Sequence, residues 1–348
     1  LGVEIMFKNV FKCIVNISPD FLEIGMNEIF LLDNKAKISK WIEKGVVLIN
    51  LSSDYTNIIE GIRNKPPIFV RHIFPVFYEL SLDDIGCLLP NVSGVLDNLD
   101  TEKSFSVQVQ VLDNHERPYS KYDIEENIGQ YLLSKGFSLN VQEPQQAVSI
   151  LVQKNDCYVG VSDTRDNLSL WTGGVQRFSK EAVHISRAEF KLLEALEYFN
   201  IEIKKNTKAL DLGAAPGGWT RVLLNKDLTV YAVDPADLDE RVFEYSGLKH
   251  FKETAQEFLK KNDSEVFDYL VNDMKMDAKE SAFLMGQASQ ILKADGIGII
   301  TLKLPRKEIS KKIKETKKLL QKWFEIIGIR HLYNNRHEVT IVLKKLAF

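Results

Sequence analysis

The chain has 348 residues, 45% hydrophobic and 27% charged, which is enough apolar material for two to three domains of about 150 residues each. Wholesale disorder is thereby excluded, and no apolar run reaches the roughly 18–20 residues of a membrane span, Gly296–Leu302 being among the longest. Net charge is −3 (45 basic minus 48 acidic), weak evidence against a nucleic-acid partner, and Cys13, Cys87 and Cys157 are too few and too far apart for a disulfide framework, so a cytoplasmic setting is expected. No basic-then-apolar leader opens the chain, and Leu1-Gly2 is not a natural start, so a native N-terminus is expected upstream.

Residues 1–95 alternate short strand-like runs (Phe11–Ile17, Val46–Leu51) with helical stretches (Phe21–Leu32, Tyr55–Ile62). Pro90 to Asp100 reads as a linker. Residues 101–175 read as a strand (Phe105–Leu112), a helix (Ile124–Ser134) and a hairpin, with Val148–Gln153 and Tyr158–Val161 flanking Lys154-Asn155-Asp156. Neither region gathers residues with obvious chemistry. From 177 to 348 the pattern becomes helix–strand alternation. A helix over Ser186–Phe199 precedes strands at Lys208–Leu212, Thr229–Val233, Phe267–Asn272, Gly296–Leu302 and Val339–Leu343. Alternation of this kind predicts a doubly wound α/β sheet with its ligand crevice at the carboxyl ends of the strands. The closing order, helix Lys307–Ile327, strand Gly328–Leu332 and strand Val339–Leu343, predicts a final hairpin inserted antiparallel.

Charge is unevenly spread. Lys303 to Phe348 holds 13 Lys/Arg against four Glu, a net of +9, which leaves −12 for residues 1–302. Lys307, Lys311, Lys314, Lys318 and Lys322 recur at helical spacing, opposite a stripe of Ile309, Ile313, Leu320, Phe324 and Ile327. Such a stripe is ordinarily a solvated face, and it becomes a candidate RNA-binding surface only beside an active site.

The loop after the first of these strands reads Asp211-Leu212-Gly213-Ala214-Ala215-Pro216-Gly217-Gly218-Trp219-Thr220 and opens a helix. Small residues let backbone approach a ligand, and glycines permit positive φ. The spacing is not G-x-G-x-x-G, and no Lys-Ser/Thr pair makes a phosphate loop. Asp234 ends the next strand, where a carboxylate can accept both ribose hydroxyls of an adenosine. A nucleoside without phosphates fits these features, and S-adenosylmethionine is the expected cofactor; no metal is expected.

The segment DLGAAPGGWT resembles the cofactor motif of FtsJ-type RNA ribose 2′-O-methyltransferases. Ser186–Glu194 resembles their leading helix, and Asn272-Asp273-Met274, Leu302-Lys303-Leu304-Pro305 and His337-Glu338-Val339-Thr340 resemble their remaining blocks, in the same order. The pattern is closest to the RlmM-type ribosomal RNA cytidine 2′-O-methyltransferases. That resemblance implies a Rossmann-like methyltransferase domain over 177–348 with a mixed seven-stranded sheet whose last strand is antiparallel. It also implies an α+β front, ferredoxin-like over 1–95 and a THUMP-like RNA-binding domain over 101–175. A catalytic tetrad of Lys191, Asp273, Lys303 and Glu338 is implied, with Lys303 as general base. Implied cofactor contacts run from Asp211 through Gly213, Ala214, Ala215, Pro216, Gly217 and Gly218 to Trp219, and include Asp234, Thr254 and Asp273.

Taken singly, Lys191 and Glu338 would read as surface charges. Asp273 and Lys303 each end an apolar strand, where polar groups face the crevice. A lysine base must shed its proton, so burial and the second cation, Lys191, would help, while Asp273 and Glu338 oppose; the net shift is left open. Methylation of pyrimidine C5 needs a cysteine nucleophile, which residues 158–348 lack. Exocyclic-amine methylation uses an Asn-Pro-Pro-aromatic block where this chain has Asn272-Asp273-Met274-Lys275. Two positions depart from the family pattern. Ala188 stands where a serine touches the cofactor, and Thr254 stands where an acid is expected near adenine. Trp219 has two readings, leaning on the cofactor or packing in the core. RNA, ribosomal RNA in particular, is the expected partner. The alternatives are an RNA-binding or ribosome-assembly factor with a silent methyltransferase fold, and a small-molecule methyltransferase.

Overall fold

The computed structural model describes residues 10–96, 98–176, 178, 184–262 and 264–347. Residues 1–9 and 177, the last being where the catalytic region is expected to begin, lie outside the described residues. The chain divides into two compact units, residues 1–176 and 177–348.

The first unit opens with β1 (Lys12–Ile17), α1 (Leu22–Leu32), β2 (Lys37–Glu43), β3 (Val46–Asn50), α2 (Tyr55–Asn64) and β4 (Val70–Pro75). Its four strands form an antiparallel sheet in the order β2-β3-β1-β4, a ferredoxin-like βαββαβ arrangement. Helix α2 shows why such segments fold. Asp54 caps it by accepting from Thr56 N, and Tyr55, Ile58, Ile59 and Ile62 fall on one buried face. β5 (Tyr78–Ser81), α3 (Leu88–Leu96), β6 (Phe105–Val111), α4 (Lys121–Ser134), β7 (Gln146–Gln153) and β8 (Asp156–Asp163) follow, and the second sheet runs β5-β8-β7-β6. The Pro90–Asp100 segment is therefore helical as far as Leu96 and not a linker. Pro90 falls in the first turn, where a missing N–H costs no helical bond, and Leu88, Val92, Val95 and Leu96 are buried. β5 pairs with β8, so the second sheet draws a strand from upstream of residue 95.

The second unit consists of α5 (Ala188–Tyr198), β9 (Lys208–Leu212), α6 (Gly218–Leu224), β10 (Thr229–Val233), β11 (Leu248–Phe251), α7 (Ala255–Lys261), β12 (Phe267–Asn272), α8 (Ala278–Ala288), β13 (Leu292–Lys303), α9 (Ile309–Leu320), β14 (Phe324–Arg330) and β15 (Glu338–Lys345). The seven strands lie in the order β11-β10-β9-β12-β13-β15-β14. Strands β9 to β13 are parallel, and β15 runs antiparallel to both β13 and β14. This is a mixed, Rossmann-like sheet. The carboxyl ends of β9, β10, β12 and β13 therefore share one edge. The amino end of β15 reaches the same edge, because Lys303 pairs with Glu338 in register.

The helix expected to run to Ile327 stops at Leu320. Its buried stripe is Ile309, Ile313, Thr316 and Leu320, whereas Phe324 and Ile327 belong to β14. Only Lys311, Lys314 and Lys318 of the lysine stripe lie on α9, with Lys307 and Lys322 flanking it, and all five are exposed. Among the described residues no helix is long and apolar enough to cross a membrane.

Candidate active site

The glycine loop joins β9 to α6. Gly213 (φ +75°) and Gly217 (φ +108°) take left-handed conformations that side chains disfavour. A Cβ on Gly213 would lie 2.1 Å from Met274 Cγ, so the loop sits tightly against the turn after β12. Gly213 N and Ala214 N donate to Val233 O at 2.9 and 3.2 Å, which seats the loop on β10. Asp234, half-buried just beyond β10, accepts from Ala215 N at 3.1 Å and Ala236 N at 2.8 Å. A carboxylate thus borders a close-packed backbone cradle, which suits a nucleoside.

Three expected cofactor contacts have other duties. Asp211 is 1% exposed and accepts from Thr220 Oγ1 at 2.6 Å, tying β9 to α6 behind the loop. Burial pushes its pKa up to about 7 against the lowering effect of the Thr220 bond. Trp219 is buried too, and its indole N–H donates to Ala188 O at 2.8 Å, the core-packing reading of this residue. Ala188 thereby joins α5 to the loop through its carbonyl. Thr254 caps α7, its hydroxyl donating to Glu257 and accepting from Glu257 N.

The four charged residues of the tetrad converge from four elements. Asp273 follows β12, Lys303 ends β13, Glu338 begins β15 and Lys191 projects from α5. Asn272 shapes the turn that presents Asp273, its Oδ1 accepting from Met274 N at 2.9 Å. Lys191 Nζ lies 3.1 Å from Asp273 Oδ2 and 2.7 Å from Glu338 Oε1. Lys303 Nζ lies 2.9 Å from Asp273 Oδ1 and 2.8 Å from Glu338 Oε2. Each lysine bridges both carboxylates, so the quartet alternates in sign and is formally neutral. Burial disfavours charge on Lys303, but the carboxylates of Asp273 and Glu338 outweigh it and hold the lysine pKa above its ordinary value. Burial acts to raise Glu338, but Lys303 and Lys191 outweigh it and keep its carboxyl below the usual range. The shift left open by the sequence is thus upward: the free site holds Lys303 charged.

Two side chains that sequence reasoning passed over support this arrangement. Thr301 Oγ1 bonds both Lys303 and Asp273. Glu194, one turn after Lys191 on α5, accepts from Tyr333 N (2.7 Å), Asn334 N (2.8 Å) and Asn334 Nδ2 (2.7 Å). It thereby grips the β14–β15 connection that delivers Glu338. The spacing carried a signal for both: Thr301 precedes Lys303 by one strand period, and Glu194 follows Lys191 at i+3. Among the described residues no group of three or more His, Cys, Asp or Glu is placed to hold a metal ion.

Comparison with known proteins finds relatives of two parts of the chain. Residues 184–330 match the FtsJ-like methyltransferase family, and residues 96–162 match the THUMP domain. Ribosomal RNA large subunit methyltransferase M of Shewanella sp. (strain ANA-3) is 30% identical over 229 residues, covering 62% of each chain. The chain thus spans less than two thirds of that relative's length, and between 52% and 56% of three others bearing the same name. An uncharacterized protein of Methanocaldococcus jannaschii is 26% identical, covering 96% of this chain and 99% of its own. The crystal structure of TrmN from Thermus thermophilus covers 97% of this chain at 16% identity, with a TM-score of 0.38, too low to carry an argument. The two family matches fall in chain order, the THUMP match ahead of the FtsJ-like methyltransferase match.

Proposed function

We propose that the chain is an enzyme that methylates the ribose 2′-oxygen of RNA, ribosomal RNA being the proposed substrate, with S-adenosylmethionine as methyl donor. The observation that carries this reading is the alternating Lys–Asp–Lys–Glu quartet, closed at 2.7 to 3.1 Å at the strand edge that also bears the glycine loop. The loop from Gly213 to Gly218 would hold the cofactor by its backbone, with Asp234 accepting from its ribose. When bound, S-adenosylmethionine supplies an electrophilic methyl group and a positive charge. In-line transfer depends above all on holding the attacking oxygen in place, and Lys191 is suited to orient it. Lys303 takes the 2′-hydroxyl proton once its own ammonium has lost one to solvent. Asp273 and Glu338 fix both lysines. Because they also hold Lys303 charged, the transfer rate rises with pH through the neutral and mildly alkaline range.

The exposed Lys307, Lys311, Lys314, Lys318 and Lys322 would meet RNA phosphates, and the THUMP domain would select the RNA element by shape. The proposed compartment is the cytoplasm. The test is tritium transfer from labelled S-adenosylmethionine to ribosomal RNA that lacks its own modifications, followed by digestion to nucleosides. Label on a 2′-O-methyl nucleoside is the expected result. Label on a base, or on a small molecule alone, would overturn the reading. Cofactor binding by calorimetry without transfer would instead favour an assembly factor. Lys303→Ala should abolish turnover and leave RNA binding nearly unchanged; surviving activity removes Lys303 as the base.

A further inference from the structure

Thr301 sits inside the quartet, and neither the family motif nor charge complementarity accounts for it. It precedes Lys303 by two residues on β13, so both side chains leave the strand on the same face. It is 1% exposed. Lys303 Nζ donates to Thr301 Oγ1 at 2.9 Å, and the hydroxyl in turn donates to Asp273 Oδ1 at 2.5 Å. An ammonium has three N–H donors. Those of Lys303 go to Asp273 at 2.9 Å, Glu338 at 2.8 Å and Thr301 at 2.9 Å. Nζ is saturated, and no direction is left for a ribose hydroxyl.

We propose that Thr301 is a positioning residue that holds Lys303 in this three-acceptor resting state and locks Asp273 against it, its corner being the one vacated when Lys303 becomes neutral. The inference rests on the reading of Lys303 as base. A neutral amine keeps two N–H groups. The charged groups facing it are Asp273 from the end of β12, Glu338 from β15 and Lys191 from α5, and the two carboxylates retain both donors, because charge-assisted bonds are about twice as strong as neutral ones. The lone pair then falls toward Thr301, whose proton is already committed to Asp273. Lone pair faces lone pair, and Nζ turns away toward the open side of the site, where Lys303 keeps 22% of its side chain exposed.

Acetic anhydride acylates a lysine only as its neutral amine, so a short pulse at pH 8 on the full chain, read by peptide mass spectrometry, reports how readily Lys303 gives up its proton. Labelling of Lys303 is normalised to exposed Lys307. Thr301→Val removes one acceptor from the ammonium, and the ratio should rise about tenfold (~1.4 kcal/mol at 1.36 per decade). Thr301→Ser should restore the original ratio. Lys191, which bonds Asp273 and Glu338, should keep its own ratio in all three proteins. An unchanged Lys303 ratio in the Val variant overturns the inference, and so does a parallel rise of Lys191 and Lys303, which would mean a loosened site. The measurement uses neither RNA nor cofactor. Failure of methyl transfer by the unaltered chain would therefore sink the proposed function separately from this result.

Discussion

Replacing Asp211 by Asn tests whether the glycine loop is anchored by a buried carboxyl that carries its proton near neutral pH. Burial raises the folded pKa from 3.8 to about 7. Below pH 3.8 both folded and unfolded chains hold the proton. Between the two values only the folded chain holds it, so stability falls as pH rises, and above 7 the loss levels off. At 1.36 kcal/mol per pH unit the full span is about 4 kcal/mol, of which roughly 2–3 kcal/mol develops between pH 5 and pH 8. Asn keeps an oxygen for the Thr220 hydroxyl and cannot ionise. It adds a second N–H that lacks an assured partner, at a pH-independent cost of about 1–3 kcal/mol. The stability difference, variant minus parent, should therefore climb by roughly 2–3 kcal/mol from pH 5 to pH 8, whatever its starting sign. Urea series at several pH values, each read by a hydrogen-exchange pulse at one common pH on peptides covering residues 208–224, would measure it. A difference that stays flat with pH refutes the reasoning.

Three further outcomes follow from the geometry. Glu194→Ala strands two backbone N–H groups at Tyr333 and Asn334, so it should destabilise the second unit by about 2–4 kcal/mol in urea melts. Glu194→Gln, which keeps one acceptor, should lose less and retain more turnover. Gly213→Ala forces a side chain into positive φ and against Met274, and calorimetry should show S-adenosylmethionine affinity falling at least tenfold while α5 and the quartet remain folded. Replacing Lys311, Lys314 and Lys318 together by Gln should flatten the log–log salt dependence of RNA binding by up to about 2, at roughly 0.7 per lost phosphate contact with single strands; an unchanged slope would remove the α9 face as the RNA surface.

The central parallel strands were legible in the sequence because burial on both faces makes them short continuous apolar runs. β9, β10 and β12 occupy Lys208–Leu212, Thr229–Val233 and Phe267–Asn272, as the sequence pattern predicts. The end of α9 was not legible, since Leu320, Phe324 and Ile327 continue a helical apolar spacing through a turn and into β14. The same ambiguity hid α3, where Pro, Asn, Ser and Gly look like breakers although the apolar residues recur on one face. Within the loop, sequence pattern could identify Asp211 and Trp219 as part of the motif but could not tell which way they face. Asp211 turns toward Thr220 on α6 and Trp219 toward Ala188 on α5, and α5 is positioned by contacts far along the chain.

That helix explains how charges from distant parts of the chain meet within hydrogen-bonding distance. Its first turn is held to α6, and so to the glycine loop, by the Trp219 indole on Ala188 O. Its middle carries Lys191 into the quartet, and one turn on, Glu194 holds the connection from which Glu338 emerges. A shift of α5 would therefore move Lys191 relative to Asp273, Lys303 and Glu338, whose places are set by β12, β13 and β15, the last two paired in register at Lys303 and Glu338. The quartet is three groups fixed by the sheet and one lysine brought to them by the helix. Mutations that loosen α5 should disturb the Lys191–Asp273 and Lys191–Glu338 contacts while sparing Lys303–Asp273 and Lys303–Glu338, and that asymmetry separates damage to the scaffold from damage to the charges themselves.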